Sequence, residues 1–310
     1  MHRDRPPVAV SRSHAAAEKA VKIPSFTYAS PSSVDEALAL LAPADPATAV
    51  LAGGQSLLPE LARRDRVVAR VVDIGRIAAL RTLSAGAATH IGATVTQLEV
   101  QQSPVVAARH PALVAALASV GTEQVRARGT LCGSIAQGDP SAELPAVLAA
   151  CDATAVLVRD RSSRRVRIDE LYAARGRPAI GRDELLTEIV LPPAETGWLE
   201  AFAEVGRRSV DVATVAAVVR VRLGLGAIVD DARVACTARQ VPGSRLAGVE
   251  AALRGVALGR EALRAATRAA ASVELIDDAV ASSAYRSDVL AVLVRRCLER
   301  IATVAVPDAG

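Results

Sequence analysis

Two adjacent glycines constrain the fold of this chain most, because they separate a short apolar run from a mixed apolar and charged segment. Thr48–Ala52 is long enough for one buried strand, and Leu57–Arg64 suits a helical turn. Gly53-Gly54 stands between them and is followed by Gln55-Ser56. A strand followed by paired glycines and small polar residues exposes consecutive backbone N–H groups, which are able to bind an anion such as phosphate.

The glycine pair alone leaves two interpretations open. It lacks the Lys-Ser or Lys-Thr of the P-loop, and it lacks the third glycine of the dinucleotide-binding fingerprint. A turn that only ends a core strand therefore explains these residues as well as a phosphate site does.

A second glycine-bearing stretch, Arg126–Pro145, makes the phosphate interpretation more specific. Gly129-Thr130 and Gly133-Ser134 again place small hydroxyl residues beside glycine, and Asp139 and Glu143 follow. Two such turns, one in each subdomain, would enclose a diphosphate, while the carboxylates would accept hydrogen bonds from ribose or ribityl hydroxyls. These requirements together favour FAD over a nucleoside triphosphate, which would need lysine and a magnesium site.

Strand and helix signals alternate along the chain and predict an α+β protein. Ser33 and Glu36 have the spacing of a capping box, and the basic run from Arg161 to Arg167 (Arg161, Arg164, Arg165, Arg167) is predicted to be a solvated hairpin loop. Further predicted strands are Phe26–Ser30, Val71–Ile74, His90–Val95, Ala153–Val158, Arg165–Ile168, Glu184–Leu191, Val212–Leu223 and Ala232–Ala238. Further predicted helices are Gln97–Gln102, Pro111–Val120, Ala146–Cys151, Arg245–Arg254, Gly259–Ser272 and Ser287–Ala302.

Composition argues against several classes of partner. The net charge is only +4, the basic residues form no stripe, and aromatic residues make up 2% of the chain, so a nucleic-acid surface is not expected. No apolar run suits a membrane span, and residues 1–22 lack a secretion signal and are expected to be a disordered extension. A cytoplasmic location is therefore expected.

The cysteines and histidines give no sign of a metal site. Four cysteines (Cys132, Cys151, Cys236, Cys297) and four histidines (His2, His14, His90, His110) are scattered without zinc or iron–sulfur spacing. Free thiols are expected, as in a reducing cytoplasm. No metal ligand is predicted on this chain.

Several spaced motifs resemble the FAD-binding (medium) subunit of the molybdenum hydroxylase family, of the carbon monoxide dehydrogenase and xanthine dehydrogenase type. The likeness runs in order from about residue 23 to about residue 305. The motifs are A-G-G-Q-S-L-L-P at 52–59, I-G-A-T-V-T at 91–96, T-L-C-G-S-I-A at 130–136, G-D-P-S-A-E-L-P at 138–145, E-L-L-T-E-I at 184–189, F-A-E-V-G-R-R-S-V-D-V-A at 202–213 and A-Y-R at 284–286.

The resemblance implies a vanillyl-alcohol-oxidase-type FAD-binding fold of two α/β subdomains plus a C-terminal sheet-and-helix domain. It implies an FAD-binding domain at 23–195, with subdomains at about 23–80 and 81–195, and a C-terminal domain at 196–310. It also implies which residues bind FAD: Ala52, Gly53, Gly54, Gln55, Ser56, Leu57, Thr130, Cys132, Gly133, Ser134, Asp139, Glu143 and Leu186. Of these, Leu186 would lie near the isoalloxazine ring.

This sequence departs from the family pattern at two places. Cys132 takes the place of the first of two glycines in the second motif, and a buried inert thiol is the favoured interpretation. Val212 follows Asp211 where an aromatic residue is common in the family.

In this family the molybdenum cofactor and 2Fe-2S clusters are carried by a large and a small partner subunit. The resemblance therefore implies an oxidoreductase subunit that passes electrons from those clusters through FAD to an external acceptor, within a dimer of heterotrimers. No catalytic side chain is assigned, because the redox chemistry belongs to the cofactor. Two alternatives remain: a single-chain FAD-dependent reductase of the same fold, and a flavin-free assembly or binding protein.

Overall fold

A computed structural model describes residues 23–172, 177–193, 195–208 and 212–305. The extension predicted at 1–22, and Asp211 of the third motif, lie outside these ranges. The described residues form three sheets, which are joined and flanked by helices.

The strands are β1 (Thr27–Ala29), β2 (Thr48–Leu51), β3 (Arg70–Asp73), β4 (Leu83–Ala85), β5 (Thr89–Gly92), β6 (Thr154–Arg159), β7 (Ser162–Arg167), β8 (Leu185–Leu191), β9 (Trp198–Gly206), β10 (Ala213–Leu223) and β11 (Val229–Cys236). The α-helices are α1 (Val34–Leu41), α2 (Leu57–Arg63), α3 (Gln97–Gln102), α4 (Pro104–Arg109), α5 (Pro111–Ser119), α6 (Glu123–Arg126), α7 (Leu131–Gln137), α8 (Glu143–Ala150), α9 (Ile168–Leu171), α10 (Ala247–Leu253), α11 (Arg260–Ala271) and α12 (Ser283–Ala305).

The first sheet is parallel, with strand order β1-β3-β2, and α1 and α2 lie in its connections. The Ser33 hydroxyl caps α1 by accepting a hydrogen bond from the N–H of Glu36, as predicted. The reciprocal bond differs from a capping box, because the Glu36 carboxylate accepts from the N–H of Ser32 at 2.7 Å. The predicted strand and helical turn on either side of the glycine pair are both confirmed as β2 and α2.

The second sheet is antiparallel, with strand order β4-β5-β8-β6-β7. The predicted hairpin loop is too long, because the backbone already pairs with β6 from Ser162 onwards. The strand predicted at 165–168 is confirmed over residues 165–167, but it begins three residues earlier, and Ile168 already begins α9. Only Asp160 and Arg161 form the turn. Arg164 donates two parallel hydrogen bonds to the Glu184 carboxylate, at 2.8 and 2.7 Å. Charged residues are typical of an edge strand such as this one, because they discourage pairing with another chain.

The third sheet is an antiparallel meander, β9-β10-β11, covered on one face by α10, α11 and α12. The strands predicted at 212–223 and 232–238 are confirmed as β10 and β11, and these two strands pair with each other. Arg286, from the A-Y-R motif, is only 1% exposed and pairs with Asp278 at 2.8 and 3.0 Å. Its guanidinium also donates to the carbonyls of Thr214 and Ile276, so it ties α12 to β10 and to the chain before the helix.

One buried ion pair joins the third sheet to the helices of the second. Arg220 on β10 donates to Glu200 on β9 at 3.3 Å, and their side chains are 10% and 3% exposed. Glu200 also accepts from the N–H of Ala112 in the first turn of α5, at 3.0 Å. Arg220 donates to the carbonyl of Ala150 at the end of α8, at 2.9 Å, and stacks on Trp198. The carboxylate thus accepts from a free N–H at the start of α5, and the guanidinium donates to a free carbonyl at the end of α8.

Among the residues described, no helix combines the length and the apolar character needed to cross a lipid bilayer.

We expect Arg220→Met to lower the free energy of unfolding by about 3–5 kcal/mol, because it leaves the Glu200 carboxylate buried without its cation. The matched control is Arg222→Met, two residues along the same strand, whose pair with Glu195 is exposed and is expected to contribute less than about 1 kcal/mol. Urea unfolding of the full chain measures both. Equal losses in the two variants would contradict the role given to the buried pair.

Candidate functional site

A cleft of about 830 Å³ lies where the first sheet meets the second, and both glycine-bearing stretches line it. One wall is formed by the end of β2, the glycine pair and the start of α2. The other is formed by residues 129–139 and by the start of β8. A volume of this size is typical of sites for small organic ligands and cofactors.

Gly53 joins the two glycine-bearing stretches by direct backbone contact. A Cβ at this position would collide with the carbonyl oxygen of Arg128 and would lie 2.8 Å from the Cα of Gly129. Gly54 has a positive φ of 75°, which L residues rarely adopt, and an added Cβ would lie 3.0 Å from the Leu58 side chain. The first glycine thus allows close approach, and the second allows the turn.

The second stretch is the start of a helix, which corrects the prediction of a second turn. Thr130 is the N-cap of α7, and its hydroxyl accepts from the N–H of Gly133 at 3.0 Å. Gly133 leaves room for this cap, since a Cβ there would lie 2.8 Å from the Thr130 hydroxyl oxygen. Gly133 and Ser134 therefore lie in the first turn of a helix, a pattern that the sequence analysis did not recognise.

The cleft wall contains polar groups that have no hydrogen-bond partner within the described part of the chain. They include the backbone N–H groups of residues 53–57 and two buried acceptors, Oγ1 of Thr48 and Oε1 of Gln97. Buried polar groups in proteins are nearly always hydrogen-bonded, so such groups at a cleft indicate a ligand or ordered water.

Charged side chains of both signs line the cleft. Arg66 lies 3.9 Å from Glu60, and Arg182 belongs to the loop before β8. Asp139 is exposed in the cleft, and one of its carboxylate oxygens accepts from the N–H of Ser141 at 2.8 Å. Its other carboxylate oxygen can accept a hydrogen bond from a ligand hydroxyl.

The Cys132 side chain packs against the second sheet. Only 2% of the residue is exposed, and its thiol donates to the carbonyl of Ile91 on β5 at a sulfur–oxygen distance of 3.6 Å. Burial raises the pKa of the thiol above its ordinary range, and the nearby backbone N–H of Ile189 on β8 offsets only part of this effect. The burial predicted for this residue is confirmed, and its protonated state makes it a poor nucleophile.

Every predicted site residue except Glu143 lines the cleft. Leu186 lies on β8, beside the β6–β8 register shift, and contributes to the apolar part of the wall. The sequence analysis missed Gln97, Ile180 and Val212 as cleft residues. Gln97 and Ile180 belong to none of the motifs, and Val212, in the motif at 202–213, gives no sign of a binding role on its own.

Glu143 is instead buried at the start of α8, with 5% of the residue exposed. The backbone N–H groups of Glu143 itself and of Ala213, the first residue of β10, lie beside the carboxyl and act to lower its pKa, and α8 packs against β10. Burial, with a smaller effect from Glu204, raises the pKa of Glu143 to about 7. The pKa of Glu204 is also raised by burial, and the nearby Ser119 side chain offsets only part of this effect. Glu143 thus lies in the contact between the second subdomain and the third sheet.

Among the described residues, no group of three or more His, Cys, Asp or Glu side chains is arranged to hold a metal ion. All four cysteines are buried and free.

Comparisons with known proteins define the class. The family described as "FAD binding domain in molybdopterin dehydrogenase" matches residues 24–194, and "CO dehydrogenase flavoprotein C-terminal domain" matches residues 200–301. The chain is therefore an oxidoreductase subunit with an FAD-binding domain. It belongs to the family of FAD-binding medium subunits of the molybdenum hydroxylases, of the carbon monoxide dehydrogenase type.

Individual relatives agree with this assignment. The chain is 33% identical to the nicotine 6-hydroxylase medium subunit of Paenarthrobacter nicotinovorans, over 90% of this chain and 98% of the relative. It is 34% identical to the carbon monoxide dehydrogenase medium chain of Hydrogenophaga pseudoflava, over 89% of this chain and 96% of the relative.

Solved structures show the same fold. The carbon monoxide dehydrogenase structure from Hydrogenophaga pseudoflava, which lacks the Mo-pyranopterin moiety, matches with a TM-score of 0.86 and 33% identity. The match covers 91% of this chain and 99% of that chain. Quinoline 2-oxidoreductase from Pseudomonas putida 86 matches with a TM-score of 0.84 and 29% identity. This match covers 92% of this chain and 99% of that chain. The predicted family and α+β fold are thereby confirmed.

We expect Gly53→Ala to lower the free energy of unfolding by about 1–3 kcal/mol, because the added methyl group must push apart two backbones in contact. Gly86→Ala is the control, since no heavy atom lies within 4 Å of its added Cβ, and it should change stability by less than about 0.5 kcal/mol. Thermal unfolding compares the two variants. Equal stability would show that the contact between the two stretches is loose.

Glu143 should make stability depend on pH. Its folded pKa of about 7 lies above its ordinary value of 4.5, so the stability from the protonated carboxyl is complete below pH 4.5 and is lost as pH rises to about 7. In the parent chain the free energy of unfolding should fall by on the order of 3 kcal/mol over this pH range because of Glu143. We expect Glu143→Gln to remove this part of the pH dependence.

Urea unfolding at pH 5 and pH 8 measures this effect. Glu261→Gln, at an exposed position on α11, is the control and should leave the pH dependence as in the parent chain. A Glu143→Gln variant with the same pH dependence as the parent would contradict the assignment.

Proposed function

We propose that this chain holds FAD in the cleft between its two glycine-bearing stretches and works as the flavin subunit of a molybdenum hydroxylase. The observation that carries the proposal is the contact of Gly53 with the backbone of Arg128 and Gly129, which makes one cleft from two distant segments. The family match supplies the identity of the ligand.

The residues of the cleft fit this cofactor. The unpartnered N–H groups of residues 53–57 suit a diphosphate, because backbone donors beside a glycine turn bind anions well. Thr130, Gly133 and Ser134 would contact the same diphosphate from the start of α7, beside the positive end of the helix dipole. Asp139 has a free carboxylate oxygen for a ribose or ribityl hydroxyl, and Leu186 offers an apolar surface for the isoalloxazine ring.

Bound FAD supplies reversible electron storage, and the protein contributes binding, orientation and exclusion of water. Gly54, Gln55, Ser56 and Leu57 shape the wall on the side of the first sheet, with Ala52 at the end of β2. The Cys132 thiol contacts the carbonyl of Ile91 and so helps to fix α7 against β5. We assign no acid, base or nucleophile.

The proposed domain division is 23–195 for FAD binding, with subdomains near 23–80 and 81–195, and 196–310 for the C-terminal domain. The separate family matches to residues 24–194 and 200–301 support it. The contact of Glu143 with Ala213 would then lie between the two domains.

We also propose a large molybdenum-cofactor subunit and a small 2Fe-2S subunit as partners, in a dimer of heterotrimers in the cytoplasm. Support comes from relatives that are named medium subunit or medium chain, a term that implies a larger and a smaller companion. Electrons would enter from the small subunit and leave to an external acceptor.

Purification of the full chain tests the cofactor assignment through its visible spectrum and FAD content. We expect bound FAD in the parent chain and a large loss in Gly54→Val, because a branched side chain at positive φ distorts the turn.

Gly255→Val is the matched control, since Gly255 has a similar φ of 79° and lies outside the cleft. It should keep its FAD. A parent chain that neither contains nor takes up FAD would support the flavin-free alternative, and full activity without partner chains would support the single-chain reductase.

A further inference from the structure

Gln97 lies at the centre of the cleft wall, although no glycine motif contains it. It is the first residue of α3, is 5% exposed and lines the cleft. Its backbone N–H donates to the carbonyl of Gly129 at 2.8 Å, and Thr96 forms a bridge with Thr130. The residue is therefore held rigidly beside the backbone that Gly53 contacts.

One atom of the Gln97 side-chain amide, the carbonyl oxygen Oε1, has no hydrogen-bond partner among the residues that the structure describes. This oxygen is also buried. A buried amide oxygen without a partner is unfavourable, and native proteins rarely keep one without a reason.

The surroundings make room for this amide. Gly129 has no side chain, and a Cβ there would lie 3.2 Å from Oε1 of Gln97. Unlike Glu143, which is buried away from the cleft, Gln97 offers a neutral polar group at the cleft wall. An amide can both donate to and accept from a hydroxyl, and unlike a carboxylate it does not repel a neighbouring diphosphate.

We propose that Gln97 is a cofactor-contacting residue whose side-chain amide hydrogen-bonds a sugar-type hydroxyl of FAD next to the diphosphate. This inference rests on the proposed function, since it requires FAD in the cleft. It transfers to Gln97 the hydroxyl-binding role that the sequence had suggested for Glu143.

The test uses the full chain, stripped of flavin, in titrations with FAD and in thermal unfolding of the flavin-free form. We expect Gln97→Leu to raise the dissociation constant of FAD about three- to tenfold, the effect of losing one hydrogen bond. The melting temperature of the flavin-free chain should stay the same or rise, because the substitution removes a buried group without a partner. A purely structural role for Gln97 predicts a lower melting temperature instead.

Gln102→Leu is the matched control, because it is the same substitution at an exposed position of the same helix, outside the cleft. It should change neither quantity. If Gly54→Val weakens FAD binding and Gln97→Leu does not, the inference is overturned and the proposed function stands. If neither variant weakens binding, the FAD site itself is wrong. A lower melting temperature of flavin-free Gln97→Leu would also overturn the inference.

Discussion

The arrangement of this molecule depends on the buried pair of Arg220 and Glu200. Because β9 and β10 carry the pair side by side, its two charges reach the start of α5 and the end of α8 together. Burial raises the pKa of Glu200 in spite of the nearby guanidinium, which means that removal from water outweighs the attraction of the arginine. The pair therefore specifies how the third sheet docks more than it stabilises the chain.

The position of the cleft between the two glycine-bearing stretches is linked to this ion pair through α8. Helix α8 begins with the buried Glu143 and packs against β10, and α7, immediately before it, forms part of one wall of the cleft. The third sheet thus reaches the cleft through Val212, the residue before β10. The third sheet therefore contacts both the helices beside the cleft, through Glu200 and Arg220, and the cleft itself, through Val212.

The sequence predicted the elements whose signals are local. The glycine pair, the strand before it and the apolar strands of the second sheet lie close to their predicted bounds. These elements could be predicted because apolar runs and glycine turns are patterns of adjacent residues. The sequence failed where a distant partner decides the outcome. The basic run lies in a strand because it pairs with β6, and Glu143 is buried where α8 packs against β10. Gln97 had no local signal, since only folding brings it beside Gly129.

The contact between Gly53 and the backbone at 128–129 has a consequence for tolerance to substitution. Because the width of the cleft at that point is set by two main chains in contact, side chains nearby can change without altering it. Cys132 is an example, since it adds a thiol that packs against the carbonyl of Ile91, while the contact at Gly53 is made by residues 128 and 129. Selection on such a site would therefore keep glycine at position 53, where there is no room for a Cβ, and would allow more variation among the neighbouring side chains.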